Sequence, residues 1–160
     1  YMHHPSARAQ LKAGIDALAG ESSLPAVFHC SQGKDRTGMF AAIVLGSLGV
    51  LESDIAADFA LSARYYDPEN FRDLLAAVAA QGGEGAELAK RGARIMAMQA
   101  AGDPPGAEAM LTLLEGVRAE YGSMRDYALG IGVDEECLAT LEEALLERDA
   151  AEEDAARRNR

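Results

Sequence analysis

Tryptophan is absent from the 160 residues, and cysteine occurs only twice, at Cys30 and Cys137. Two cysteines so far apart imply no disulfide framework, so a chemically useful Cys30 has to stay reduced. The three histidines, His3, His4 and His29, show no metal-ligand spacing. No stretch approaches the ~18 uninterrupted apolar residues of a membrane span, and no basic segment followed by an apolar one opens the chain. The expectation is a soluble polypeptide, cytoplasmic or secreted, with no transmembrane segment. Positive charge is also short: 15 Lys and Arg stand against 26 Asp and Glu, a net charge of −11. That balance excludes a nucleic-acid binder with a broad basic face but allows a local cationic site in an acidic body. With 49% hydrophobic residues, the chain can form one globular core. The expected organisation is one domain over residues 1–148 and a charged tail over 149–160.

Against this background one segment stands out, His29-Cys30-Ser31-Gln32-Gly33-Lys34-Asp35-Arg36-Thr37-Gly38. The apolar run Ala26-Val27-Phe28 leads in and Met39 to Leu45 leads out, which predicts strand, loop and helix. A loop closed between a strand end and a helix start can turn successive backbone N–H groups inward, with the partial positive charge of the helix N-terminus behind them. Five residues separate Cys30 from Arg36, whose planar fork can take two phosphate oxygens at the far end of the loop. Thr37 is a candidate N-cap whose hydroxyl could also reach the cysteine sulfur, and Gly33 and Gly38 supply permissive backbone. A helix N-terminus, Arg36, Lys34 and His29 are surroundings of the kind that bring a thiol pKa to roughly 3.5–7.5. Phosphoryl transfer to Cys30 followed by hydrolysis would split one hard step into two. The leaving oxygen needs a proton, from Asp35, from Asp54 or Asp58, or from a residue outside this sequence.

The segment resembles the signature loop of the cysteine-dependent protein tyrosine phosphatases, Cys-x5-Arg followed by Ser or Thr. Its Gly33-Lys34-Asp35-Arg36-Thr37-Gly38 form is similar to a bacterial tyrosine and lipid phosphatase branch that includes the mycobacterial-type tyrosine phosphatase B. Leu48-Gly49-Val50, Asp58-Phe59-Ala60-Leu61-Ser62 and Tyr121-Gly122-Ser123-Met124 match similar phrases there more faintly. The resemblance implies Cys30 as nucleophile, Arg36 as phosphate ligand and Asp35 as general acid. Ser31, Gln32, Gly33, Lys34 and Thr37 would bind substrate, with Lys34 linked to lipid-phosphate activity. His29 would support the loop. The resemblance also implies no metal or cofactor, and a phosphorylated protein or a phosphoinositide as substrate. The implied fold is α/β: a phosphatase-type sheet covered by helices, here mostly the helical C-terminal portion with one clear strand before the phosphate loop. In that family several strands precede the loop, whereas only 29 residues precede Cys30, so an N-terminal part with an Arg-Asp-Leu-Gly-Gly phrase is expected elsewhere.

Helices are expected over Ser6 to Ala19, from a cap at Ser53 to about Tyr66, over Glu69 to Ala80 after Pro68, and over Ala86 to Ala101. Gln81 to Gly85 and Asp103-Pro104-Pro105 are breaks. Leu111, Leu114, Val117 and Tyr121 form one helical stripe, and Leu138, Leu141 and Leu145 another after a cap at Asp134. Cys137 falls on this last helix as a small buried hydrophobe. Pro68 to Gly102 resembles the place of a helical lid, and reads equally as two surface helices. Two further functional readings stand beside the enzyme: a phosphatase-like fragment that binds phosphorylated ligands or a partner without turnover, and a redox thiol. The redox thiol would need relay cysteines, and Cys137 lies far from Cys30 in sequence. A nucleotide P-loop is excluded because Asp35 follows Lys34 and an upstream glycine is missing.

Overall fold

A computed structural model describes residues 2–65, 67–99 and 106–147. Among the described residues eight helices follow in chain order: α1 (Pro5–Leu18), α2 (Asp35–Ser47), α3 (Glu52–Tyr65), α4 (Pro68–Ala79), α5 (Gly83–Gln99), α6 (Ala107–Tyr121), α7 (Met124–Gly130) and α8 (Glu135–Leu145). No strand occurs among the described residues. This corrects the expected α/β fold with its sheet. Ala26-Val27-Phe28 runs without regular structure and Val27 is 93% exposed. A strand exists only by pairing, and no second strand lies among the described residues to accept its N–H and C=O groups. The apolar run marks a non-helical segment but cannot supply the missing edge.

The chain clusters into two compact units. Of the described residues, one holds those up to Phe28, Phe40–Val50 and 117–147; the other holds His29–Met39 and those between Leu51 and Gly116. In the first unit, Ala7, Leu11 and Ile15 recur every fourth residue on α1 and are all buried, the spacing that lines up one helix face. Ala42, Ile43 and Val44 of α2, Met124, Tyr127 and Ala128 of α7, and Leu138 and Leu141 of α8 are buried in the same unit. Tyr127 is wholly buried, its hydroxyl donates to the Met2 carbonyl at 2.9 Å, and its ring meets Tyr121 edge-on at 5.1 Å. Burying so large a ring is favourable because the polar tip is satisfied. Arg125 of α7 spreads one guanidinium over the Ser47 carbonyl at 3.1 Å and the Glu142 and Glu135 carboxylates at 2.6 Å each. Asp134 caps α8 by accepting from Cys137 N–H at 2.7 Å, as expected. Cys137, partly buried on α8, lies 3.9 Å from the Ile15 carbonyl. Burial and the nearby Asp16 and Asp134 carboxylates push its thiol pKa up.

In the second unit, Asp67 caps α4 by accepting from Glu69 N–H at 2.8 Å, and Pro68 opens the helix, the position where a missing N–H costs nothing. Helices α4 and α5 pair as a hairpin. Leu75 lies so close to Gly92 that a Cβ there would come within 2.5 Å of it. Helix α5 begins at Gly83, three residues before the expected Ala86, and the break narrows accordingly. Helix α3 begins at Glu52, so Ser53 is its second residue and not its cap. On α6, Leu114 and Val117 are buried while Leu111 is exposed, and Leu145 of α8 is exposed too. Those stripes are shorter than their spacing suggested. The expected break at Asp103-Pro104-Pro105, the charged tail from Asp149 and Tyr66 lie outside the described residues.

Candidate active site

Residues His29 to Lys34 form an irregular loop that enters helix α2 at Asp35. Its turn needs Gly33, which sits at φ +65°, where a side chain would be strained. At the other end of the turn, Gly38 N–H donates to the Lys34 carbonyl at 2.6 Å. A Cβ on Gly38 would collide with the ring of Phe59 on α3, so this glycine is required by close packing.

Thr37 holds the loop shut. The Cys30 N–H donates to Thr37 Oγ1 at 2.9 Å, and the Thr37 hydroxyl also hydrogen-bonds the Cys30 sulfur. Thr37 is therefore the third residue of α2 and not its cap; its hydroxyl is committed to Cys30. Burial pushes the Cys30 thiol up, but that is outweighed by the hydrogen bond from the Thr37 hydroxyl and by backbone N–H groups of Gln32, Thr37 and Lys34. The balance lowers the pKa from 9.0 to about 6. A thiol with that value is mostly thiolate at neutral pH. Of the surroundings expected to lower it, the Thr37 hydroxyl and the inward backbone N–H groups act on the sulfur here, the hydroxyl most strongly.

The other loop residues fall as follows. Arg36 is exposed, and its guanidinium donates to Ser31 Oγ at 2.9 Å, which holds the fork beside the loop. His29 Nδ1 hydrogen-bonds the Cys30 carbonyl at 3.0 Å, a supporting contact on the loop backbone. Lys34 is only 3% exposed; what it presents to the sulfur is its backbone N–H. Asp35, half-buried, is the first residue of α2, and Asp54 and Asp58 are exposed on α3 in the same unit. The residues joined by hydrogen bonds around the sulfur are thus Cys30, Gln32, Lys34 and Thr37, with Ser31 and Arg36 paired alongside. No group of three or more His, Cys, Asp or Glu side chains among the described residues could hold a metal ion. No helix among them is long and apolar enough to cross a membrane.

The Cys30 thiol with its lowered pKa and inward backbone donors thus lies on a loop beside which the Arg36 guanidinium is held by Ser31. The tyrosine phosphatase family profile matches residues 1–147, and the chain belongs to that family. A tyrosine-protein phosphatase of Nostoc commune is 36% identical over 58 residues, 36% of this chain and 20% of the relative. A Cupriavidus necator protein assigned by name to the tyrosine-protein phosphatases is 52% identical over 33 residues, 21% of this chain and 12% of the relative. The matched stretches thus span a fifth or less of those relatives. No solved structure matches the chain significantly.

Proposed function

We propose that this protein hydrolyses phosphomonoesters through a phosphocysteine intermediate, with phosphotyrosine in proteins as its first substrate class. The lysine-and-aspartate form of the loop supports a place in the bacterial tyrosine and lipid phosphatase branch, with phosphoserine, phosphothreonine and phosphoinositides as further substrates. The observation that carries the reading is Cys30, a thiol lowered to about 6 by donors of its own loop. In the first step the Cys30 thiolate attacks phosphorus, the S–P bond forms and the P–O ester bond breaks. Asp35 gives the leaving oxygen its proton. In the second step water attacks phosphorus and gives a proton to the Asp35 carboxylate, the S–P bond breaks, the thiolate returns and inorganic phosphate leaves. Backbone N–H groups of residues 31–34 and the Arg36 fork hold the phosphoryl oxygens as charge develops, a role in which fixed donors are most effective.

The test is hydrolysis of a small aryl phosphate by the purified chain. Cys30→Ser is expected to abolish turnover, by about 10³-fold or more, while leaving the melting temperature within a few degrees. Arg36→Ala is expected to reduce kcat/KM by about 10²-fold or more. Turnover that survives both substitutions would overturn the mechanism. Phosphate binding without any turnover in the unsubstituted chain would instead favour a phospho-ligand binding module.

A further inference from the structure

Helices α4 and α5 meet along a seam to which α5 contributes three small residues. A Cβ on Gly85 would come within 2.5 Å of the Val78 carbonyl oxygen, Ala89 is buried, and Gly92 lies against Leu75. Residues 85, 89 and 92 recur at helical spacing, so the residues one place before each, Glu84, Leu88 and Arg91, form a second stripe beside the seam. All three are exposed, Leu88 at 60%. On α4 the same step back from Leu75 and Val78 leads to Leu74 and Ala77, which are exposed too, Leu74 at 53%. Because the two helices share one hand and run in opposite directions, the residues that precede the seam on each lie on the same side of it. The hairpin therefore presents one face on which Leu74, Ala77 and Leu88 meet water, with Glu84 and Arg91 flanking Leu88. An apolar patch with charged residues at its rim is the form of a contact surface. Glu87 and Lys90, on the outer side of α5, bond to each other at 2.7 Å. Residues 68–99 carry four acidic and four basic side chains and are neutral overall, in a chain of net charge −11. Two copies can bring this region together without the repulsion that a net negative surface imposes.

We propose that this face of the α4–α5 hairpin binds the same face of a second copy of the chain, with α5 antiparallel to its counterpart about a two-fold axis near Leu88. The pattern is self-complementary. Glu84 and Arg91 lie seven residues apart with Leu88 between them. Reversing one helix against the other sets each Glu84 opposite Arg91 of the other copy and brings the two Leu88 side chains together at the axis. Leu74 and Ala77 extend the contact onto α4 and make it a four-helix one. The apolar positions supply the burial, and the two ion pairs fix register and direction. A partner of uniform charge would meet either Glu84 or Arg91 with repulsion, which favours a second copy over such a partner.

The experiment is sedimentation equilibrium of the 160-residue chain over about 1 to 500 μM, with circular dichroism to confirm that each variant keeps its helices. The unsubstituted chain is expected to pass from monomer to dimer mass. Leu88→Asp should raise the dissociation constant about tenfold or more, since it sets two carboxylates against each other at the axis. Glu84→Arg and Arg91→Glu should each raise it about tenfold, because every dimer then holds two like-charge pairs in place of two ion pairs. An equimolar mixture of those two variants should dimerise again, and so should the double variant that carries both changes, because each arrangement puts opposite charges face to face. An unsubstituted chain that stays monomeric throughout overturns the proposal. So does a dimer that none of the three single substitutions weakens, which would place the contact elsewhere. Failure of both the mixture and the double variant to dimerise overturns the antiparallel pairing. A monomer in which Leu88→Asp alters the turnover of an aryl phosphate would overturn the proposal by assigning the face to the chain's own site.

Discussion

The unit built on α1, α7 and α8 is held by large apolar side chains, whereas the loop in the other unit is held by hydrogen bonds. Ile15, Ile43, Tyr127, Leu138 and Leu141 are almost completely buried in the first. Around Cys30 the ties are Thr37 Oγ1, backbone N–H groups, His29 and the Ser31–Arg36 pair. The two kinds of bonding fail differently. Dispersion and burial are summed over many atoms and tolerate small shifts, while a donor aimed at a sulfur acts only over a narrow range of distance and angle. Fold stability and thiol reactivity in this chain should therefore respond to different substitutions.

The largest effect should come from the apolar unit. Leu141→Ala is expected to cost about 2–5 kcal/mol of unfolding free energy, read by denaturant titration, with the pH midpoint of Cys30 alkylation unchanged. A moved midpoint would erase the contrast. Next, Thr37→Val removes the hydroxyl that bonds both Cys30 N–H and its sulfur. The alkylation midpoint should climb from about 6 toward the ordinary 9.0, and slower alkylation at neutral pH is the readout. Because the folded value is the lower one, the thiolate's contribution to stability is complete above 9.0 and is lost as pH falls through about 6. That slope should flatten in the valine variant. A smaller cost, about 1–3 kcal/mol, is expected for Gly38→Ala, since the new methyl meets the Phe59 ring; it should also blunt the alkylation rate, because Gly38 lies in the first turn after the loop. Val27→Thr should be the mildest, within about 0.5 kcal/mol, because Val27 is 93% exposed. A large loss there would show that this segment has a partner.

Much of the site could be read directly from the residues. Cys30 and Thr37 are close in sequence, so a short loop brings them together, with Arg36 on Ser31 alongside. Local signals were equally legible at two helix starts: Asp134 accepts from Cys137 N–H at the last helix, and Pro68 opens α4. The strand at Ala26 to Phe28 failed because pairing is a property of two segments and the pattern belongs to one. Helix α7 escaped notice because it is seven residues long between Gly122 and Gly130. Its signal was present, in Ser123 accepting from Asp126 N–H at 3.0 Å. The donors that lower the thiol pKa were legible in kind, the Thr37 hydroxyl and inward backbone N–H groups, but a sequence does not show which individual N–H groups face the sulfur.

The packing of Phe59 on Gly38 ties the composition of α3 to that of α2. Bulk at one position is matched by its absence at the other. As the sequence drifts, the two sites should change as a couple: an alanine at position 38 becomes acceptable when position 59 shrinks to leucine, and glycine stays obligatory there while a phenyl ring remains. The double variant Gly38→Ala with Phe59→Leu should therefore recover more stability than the sum of its single changes allows, a coupling that a mutant cycle can measure.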